Sequence, residues 1–284
     1  MIALDASGWS VGVDPALGGA ILHARHDGRN VLRAAPAGCT DPLQAACFPL
    51  VPYANRIAGG RFDFAGRAYR VPRNFGDHPH SLHGVGWQSA WEVAENSAAS
   101  VTLRLDHAGD ARWPWPFVTE QVVTLSDAAL EIRLGLTNSG DRAMPAGVGL
   151  HPYFPTRPDT RLRFSADVAW LSDATQLPTR RVAADHFGDW TIGATVARAD
   201  LIDTAWDGWD GRAALVDADG ETVVAATGAS ILHLYIPPGA GFLCVEPVSH
   251  LPDAINRDGM PVLESGARAE LSMTITPGTA LNHG

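Results

Sequence analysis

Strand-like alternation of apolar and polar residues dominates this chain. Val101, Leu103 and Leu105 alternate with Thr102, Arg104 and Asp106. Leu130, Ile132, Leu134 and Leu136 alternate with Glu131, Arg133 and Thr137, and Leu271, Met273 and Ile275 with Ser272, Thr274 and Thr276. A period of two over such lengths predicts strands buried on one face. Ile231 to Ile236 and Phe242 to Val245 are instead nearly continuous apolar runs, as expected of strands covered on both faces, the second ending at Glu246. Shorter extended runs, Ser10 to Asp14 and Ala20 to His26, are separated by Pro15 and the Gly18-Gly19 pair.

Asp27-Gly28, Ala65-Gly66 and Asp219-Gly220 read as hairpin turns. Cys47 to Ile57 carries two prolines and suits an edge or entry segment, while Asp41 to Cys47 has room for one helical turn. Ser172 to Thr195 shows no sustained period and reads as a long excursion. With neither heptads nor repeats, the expectation is an all-β fold, a large antiparallel β-sandwich forming a single domain over residues 1–284.

Composition narrows the partners. At 284 residues and 46% hydrophobic, the chain can bury a large core. A formal charge of −10 with no basic stripe argues against nucleic acid or an anionic membrane surface. The stretch MIALDASGWS shows neither a charged leader nor a long apolar run, so a cytoplasmic location is expected. Three cysteines, Cys39, Cys47 and Cys244, are an odd number without CxxC spacing and suggest neither a disulfide framework nor a zinc ribbon.

Candidate chemistry collects where glycine and proline mark the chain. In NSGDRAMPAGVGLHPYF, His151 follows a glycine-punctuated apolar run and precedes Pro152, which favours an extended backbone before it. The loop from Asn74 to Gly86 holds His78, His80 and His83, but no HExxH or other sharp ligand pattern accompanies them, so no metal is expected. Glu246 emerges from an apolar run, where an unpaired carboxylate would be costly to bury. Trp113 to Phe117 is stiff and aromatic, suited to the core.

NRIAGGRFDFAGRAY (55 to 69), LHG with Trp91 beyond it, WPF (115 to 117), MPAGVGLHPYF and CVEP…PDAIN lie in that order from about Phe48 to Asn256. Together they make the chain resemble the aldose 1-epimerase (galactose mutarotase) family. The resemblance implies the family's extended β-sandwich with a sugar cleft on one sheet, and an activity that interconverts the α and β anomers of a free aldose without a cofactor. It assigns Glu246 as base, His151 as acid and His83 as a second histidine near the ring oxygen. Arg56 and Asp203 would hold sugar hydroxyls, with Asn55 and Trp206 also at the substrate. The chain departs from the family in VSHLPDAIN, which adds His250.

Glutamate and histidine suit such a reaction because their ordinary pKa values, about 4.3 and 6.5, let one act as base and the other as acid. The substrate is expected to be a neutral free hexose such as galactose or glucose, because no Arg or Lys lies between Asn74 and Arg104. The competing readings are a non-catalytic carbohydrate-binding protein on the same fold and a hexose-6-phosphate 1-epimerase. Monomer and homodimer both remain open.

Overall fold

A computed structural model describes residues 1–257 and 259–278. Among these, the alternating segments form antiparallel sheets, and no helix is long and apolar enough to cross a membrane. A nine-stranded sheet runs in the order Glu92–Asn96, Ser100–His107, Phe117–Leu125, Leu130–Asn138, Arg268–Pro277, Gly220–Thr227, Arg212–Asp217, Arg161–Phe164 and Ala194–Thr195. Its central strands show the buried alternation that the sequence predicts. Leu130, Ile132, Leu134 and Leu136 face the same core as Leu271, Met273 and Ile275.

An eight-stranded sheet carries the site. Its main path is Pro178–Ala183, Val168–Ser172, Ile202–Asp207, Ile231–Ile236, Phe242–Val248, Gly149–Leu150 and Pro49–Leu50, and Tyr153–Pro155 also pairs with Phe242–Val248. Here the continuous apolar runs find their explanation. Leu232, Leu234, Leu243 and Val245 enter the core shared with the nine-stranded sheet, while His233, Tyr235, Cys244 and Glu246, one residue out of phase, face the other way. One face of each strand therefore holds the fold together while the other is free for chemistry.

A four-stranded antiparallel meander, Ile2–Ala6, Trp9–Asp14, Ala20–His26 and Arg29–Leu32, precedes these sheets. The hairpin Arg61–Phe64 with Arg67–Arg70 turns at Ala65-Gly66 as expected. It packs Phe62 and Tyr69 on Trp113 and Trp115, which are fully buried. Asp41 caps a single 3₁₀ turn, Pro42–Gln44.

Two expectations need correction. Pro178–Ala183 is a strand within the supposed excursion; it lies at the sheet edge and is largely exposed, so burial imposes no hydrophobic period on it. Glu246 does not end its strand, which continues to Val248, so the carboxylate lies within the sheet.

Candidate active site

Strand register builds the site. Gly149 pairs with Val248 and Tyr153 with Cys244, and the same register carried through the gap sets His151 opposite Glu246. On the other side of Glu246, the ladder sets His233 directly opposite. His151 Nε2 lies 3.4 Å from Glu246 Oε1, and both side chains are buried. The imidazole packs against both Phe48 and Tyr153, with centroids 4.6 and 4.7 Å away and planes within about 25° of its own, so two neighbouring rings restrict its orientation. Pro152 stands between the two short strands, where an extended backbone is required.

Asn55 and His83 position each other. The Asn55 N–H donates to His83 Nδ1 at 3.1 Å, and the His83 N–H returns to the Asn55 carbonyl at 2.8 Å. Because Nδ1 accepts, the ring proton sits on Nε2, and neutral His83 offers a donor there. Its ring centroid is 5.4 Å from that of His151. Asn55 Oδ1 accepts from Arg56 Nη1 at 2.9 Å, and Arg56 Nη2 reaches Asp203 Oδ2 at 3.0 Å. Asp203 Oδ1 in turn accepts from His233 Nε2 at 2.7 Å. That short charge-assisted contact puts the proton on Nε2, so the Asn55 amide 3.3 Å away makes a packing contact there and no second hydrogen bond.

These groups open on a cleft of about 250 Å³, also lined by Arg33, Phe75, Tyr235 and Phe242. A groove of equal volume lies elsewhere beside Phe154, but it is lined by Arg29, Arg157, Asp217 and Asp219 and holds no acid–base pair facing it. The cleft's low polarity governs its proton chemistry. Burial pushes the His151 imidazole down to about 3 and His83 well below its usual value, and it raises Glu246 well above the carboxylate range. Burial also works to raise Asp203, yet the His233 hydrogen bond and the Arg56 charge outweigh it and hold this carboxyl well below the usual range.

Of the residues predicted from sequence, Glu246, His151, His83, Arg56, Asp203 and Asn55 meet in this cleft. Trp206 does not, and its place in the core rules out the expected contact with substrate. It stands an odd number of residues from Asp203 on the same strand, so the pleat turns it to the opposite face. There it is fully buried, edge-on to Phe164 and Trp190, with Nε1 donating to the Ala184 carbonyl. His250 is likewise absent from the cleft lining. Its Nε2 accepts from the Ala54 N–H at 3.1 Å and its Nδ1 donates to the Leu251 carbonyl at 2.8 Å, fixing the backbone just before Asn55.

His78 and His80 also stay outside the lining: His80 Nδ1 accepts from the Gly59 N–H and Nε2 meets the Thr175 hydroxyl, while His78 Nδ1 faces the His80 N–H. Sequence reading missed His233. Its one signal was a lone polar side chain in the apolar run Ile231 to Ile236.

The atoms closest to a metal-ligand set are His151, Cys244 and Glu246, whose donor atoms lie within 4.8 Å of one another. Burial holds the Cys244 thiol far toward its protonated form, a poor starting point for a ligand that must bind as thiolate.

Known proteins share this fold. YphB of Escherichia coli K12, described only as uncharacterized, is 31% identical over 231 residues, covering 75% of this chain and 76% of its own. An Escherichia coli K12 crystal structure assigned to aldose 1-epimerase superposes with a TM-score of 0.88 at 27% identity, over 98% of both chains. A galactose mutarotase-like protein of Clostridium acetobutylicum shares the fold, with a TM-score of 0.86 at 20% identity over 98% of this chain and 94% of its own. The family model for aldose 1-epimerase matches residues 10–276, and the chain belongs to the aldose 1-epimerase family.

Proposed function

We propose that this protein is an aldose 1-epimerase that opens and recloses the ring of a free aldose using Glu246 and His151. The observation that carries the reading is their placement 3.4 Å apart on paired strands at the floor of a cleft. Glu246 takes the proton of the C1 hydroxyl while His151 gives a proton to the ring oxygen. The bond from C1 to the ring oxygen breaks, the aldehyde turns about C1–C2, and closure on either face returns both protons. His83 Nε2–H supplies a second donor near the ring oxygen, and the Arg56–Asp203 pair offers donor and acceptor to sugar hydroxyls.

Within the cleft, burial by itself favours the neutral forms of Glu246 and His151. Hydroxyls hydrogen-bonded to the carboxylate stabilise its charged form, and a carboxylate beside His151 favours the imidazolium, so substrate prepares both partners. Positioned acids and bases contribute about a hundredfold or more each. Glu246→Gln and His151→Asn are therefore expected to lower kcat by at least about that factor while sugar still binds. Polarimetry on freshly dissolved α-D-glucose, α-D-galactose and sodium D-glucuronate measures this directly. Near-full rates in both variants would remove the assignment.

A further inference from the structure

Among the described residues, the cleft contains one cation without a counter-ion. Arg33 follows the strand Arg29–Leu32, and its backbone N–H donates to the Tyr153 carbonyl at 2.8 Å. Its guanidinium carbon lies 3.8 Å from the Tyr153 ring centroid and 4.4 Å from that of Phe242. Nη2 donates to the Leu43 and Ala45 carbonyls, both at 2.9 Å. These contacts tie the Pro42–Gln44 turn to the sheet, but carbonyls do not cancel a charge. Nε is buried without a partner, and among the described residues Arg33 forms no ion pair. Arg56 differs, since Asp203 neutralises it at 3.0 Å. A half-buried guanidinium without a counter-ion is costly unless a ligand completes it.

Position and chemistry define that ligand. Tyr153, under the guanidinium, stands opposite Cys244, one pleat repeat from the His151–Glu246 pair. That repeat is roughly 7 Å, so a pyranose with its anomeric carbon at the pair and its ring along the strand brings a substituent on C6 toward the guanidinium. A phosphate dianion calls for clustered cations or a free helix N-terminus. The nearby turn Pro42–Gln44 offers none, because Asp41 Oδ1 already accepts the Leu43 N–H at 3.0 Å. One unpaired guanidinium matches one carboxylate.

We infer that the cleft is built for a hexuronic acid, with Arg33 receiving the C6 carboxylate while the anomeric carbon lies between Glu246 and His151. This rests on the epimerase reading and narrows its substrate. Burial adds to it by favouring neutral Glu246, which leaves the cleft's side chains with surplus positive charge. The expectation of a neutral hexose rested on the loop from Asn74 to Arg104, on Arg56 being taken up by hydroxyls and on the net charge of −10, whereas Arg33 follows an earlier strand and supplies a local positive charge.

Anomer exchange followed by NMR on D-glucuronate, D-galacturonate, D-glucose, D-galactose and glucose 6-phosphate tests the inference in wild type and Arg33→Gln. A charge-assisted contact of the usual strength corresponds to about tenfold or more in kcat/KM. Wild type is expected to favour each uronate over its neutral hexose by that factor, and Arg33→Gln to remove most of the ratio. Gln keeps a donor for the carbonyls of the turn. Should the variant not fold, the wild-type ratio and its decline with added salt decide alone. Equal rates on uronate and hexose, a ratio that survives Arg33→Gln, or a preference for glucose 6-phosphate overturns the inference while leaving the epimerase reading intact. Absence of exchange on every sugar overturns the epimerase reading itself.

Discussion

At the scale of single residues, burial and hydrogen bonding decide what each titratable group can do. Glu246 is held above the ordinary carboxylate range mainly by desolvation, and a base must be ionised to act. With Glu246 protonated and His151 neutral, the free enzyme already carries the one proton that the pair shares during the reaction, so kcat/KM is expected to hold below the raised Glu246 value and to fall as pH rises through it, when no proton is left for the acid. A pH profile measured by polarimetry checks this, and activity that instead rises through that value would show that the two groups do not share a proton in this way. Both His151 and Glu246 were legible in the sequence because each stands in a Gly- or Pro-marked motif. His233 and Arg33 were not: one is embedded in an apolar strand and the other lies far from any motif, and strand pairing brings the first to the cleft while packing on Tyr153 brings the second.

Among the elements, the loops that carry Asn55 and His83 depend on close backbone approach. Val51 and Gly84 form an isolated parallel bridge, and a Cβ on Gly84 would overlap the Val51 carbonyl oxygen. Gly66 in the outer hairpin has the same φ of +74° but open space around it. Both Gly→Ala changes incur the left-handed penalty of about 1 to 2 kcal/mol. Gly84→Ala adds an overpacking cost of about 1 to 3 kcal/mol. Urea unfolding of the two variants is expected to separate them by that second amount, and only Gly84→Ala should also lower activity, because it displaces His83. Equal losses would mean that the bridge can relax. The hairpin and the alternating strands were readable from turn chemistry and period. The edge strand Pro178–Ala183 was not, because an exposed strand has no buried face to impose a pattern.

For the whole molecule, neutral buried histidines tie stability to pH. His250 is pushed down to about 4 by burial, and its Nε2 already accepts from Ala54, so a proton there would face a donor. The unfolded histidine titrates near 6.5 and binds more protons between the two values. Stability from this residue is therefore complete above about pH 6.5 and lost as pH falls toward 4, by up to about 3 kcal/mol. His151 and His83, also depressed, act in the same direction. Urea unfolding at several pH values should show this slope in wild type and a shallower one in His250→Gln; an unchanged slope would assign the effect to other groups.

The sequence by itself determined the all-β class, the strand positions and the motif-borne chemistry, because alternation, turn residues and local composition are properties of neighbours along the chain. Only the tertiary structure decided which side chains share the cleft. A pleat turns Asp203 toward it and Trp206 away from it, and register sets Glu246 between His151 and His233. Packing brings Arg33 over Tyr153. Those outcomes depend on pairings between residues distant in sequence, which no local pattern encodes.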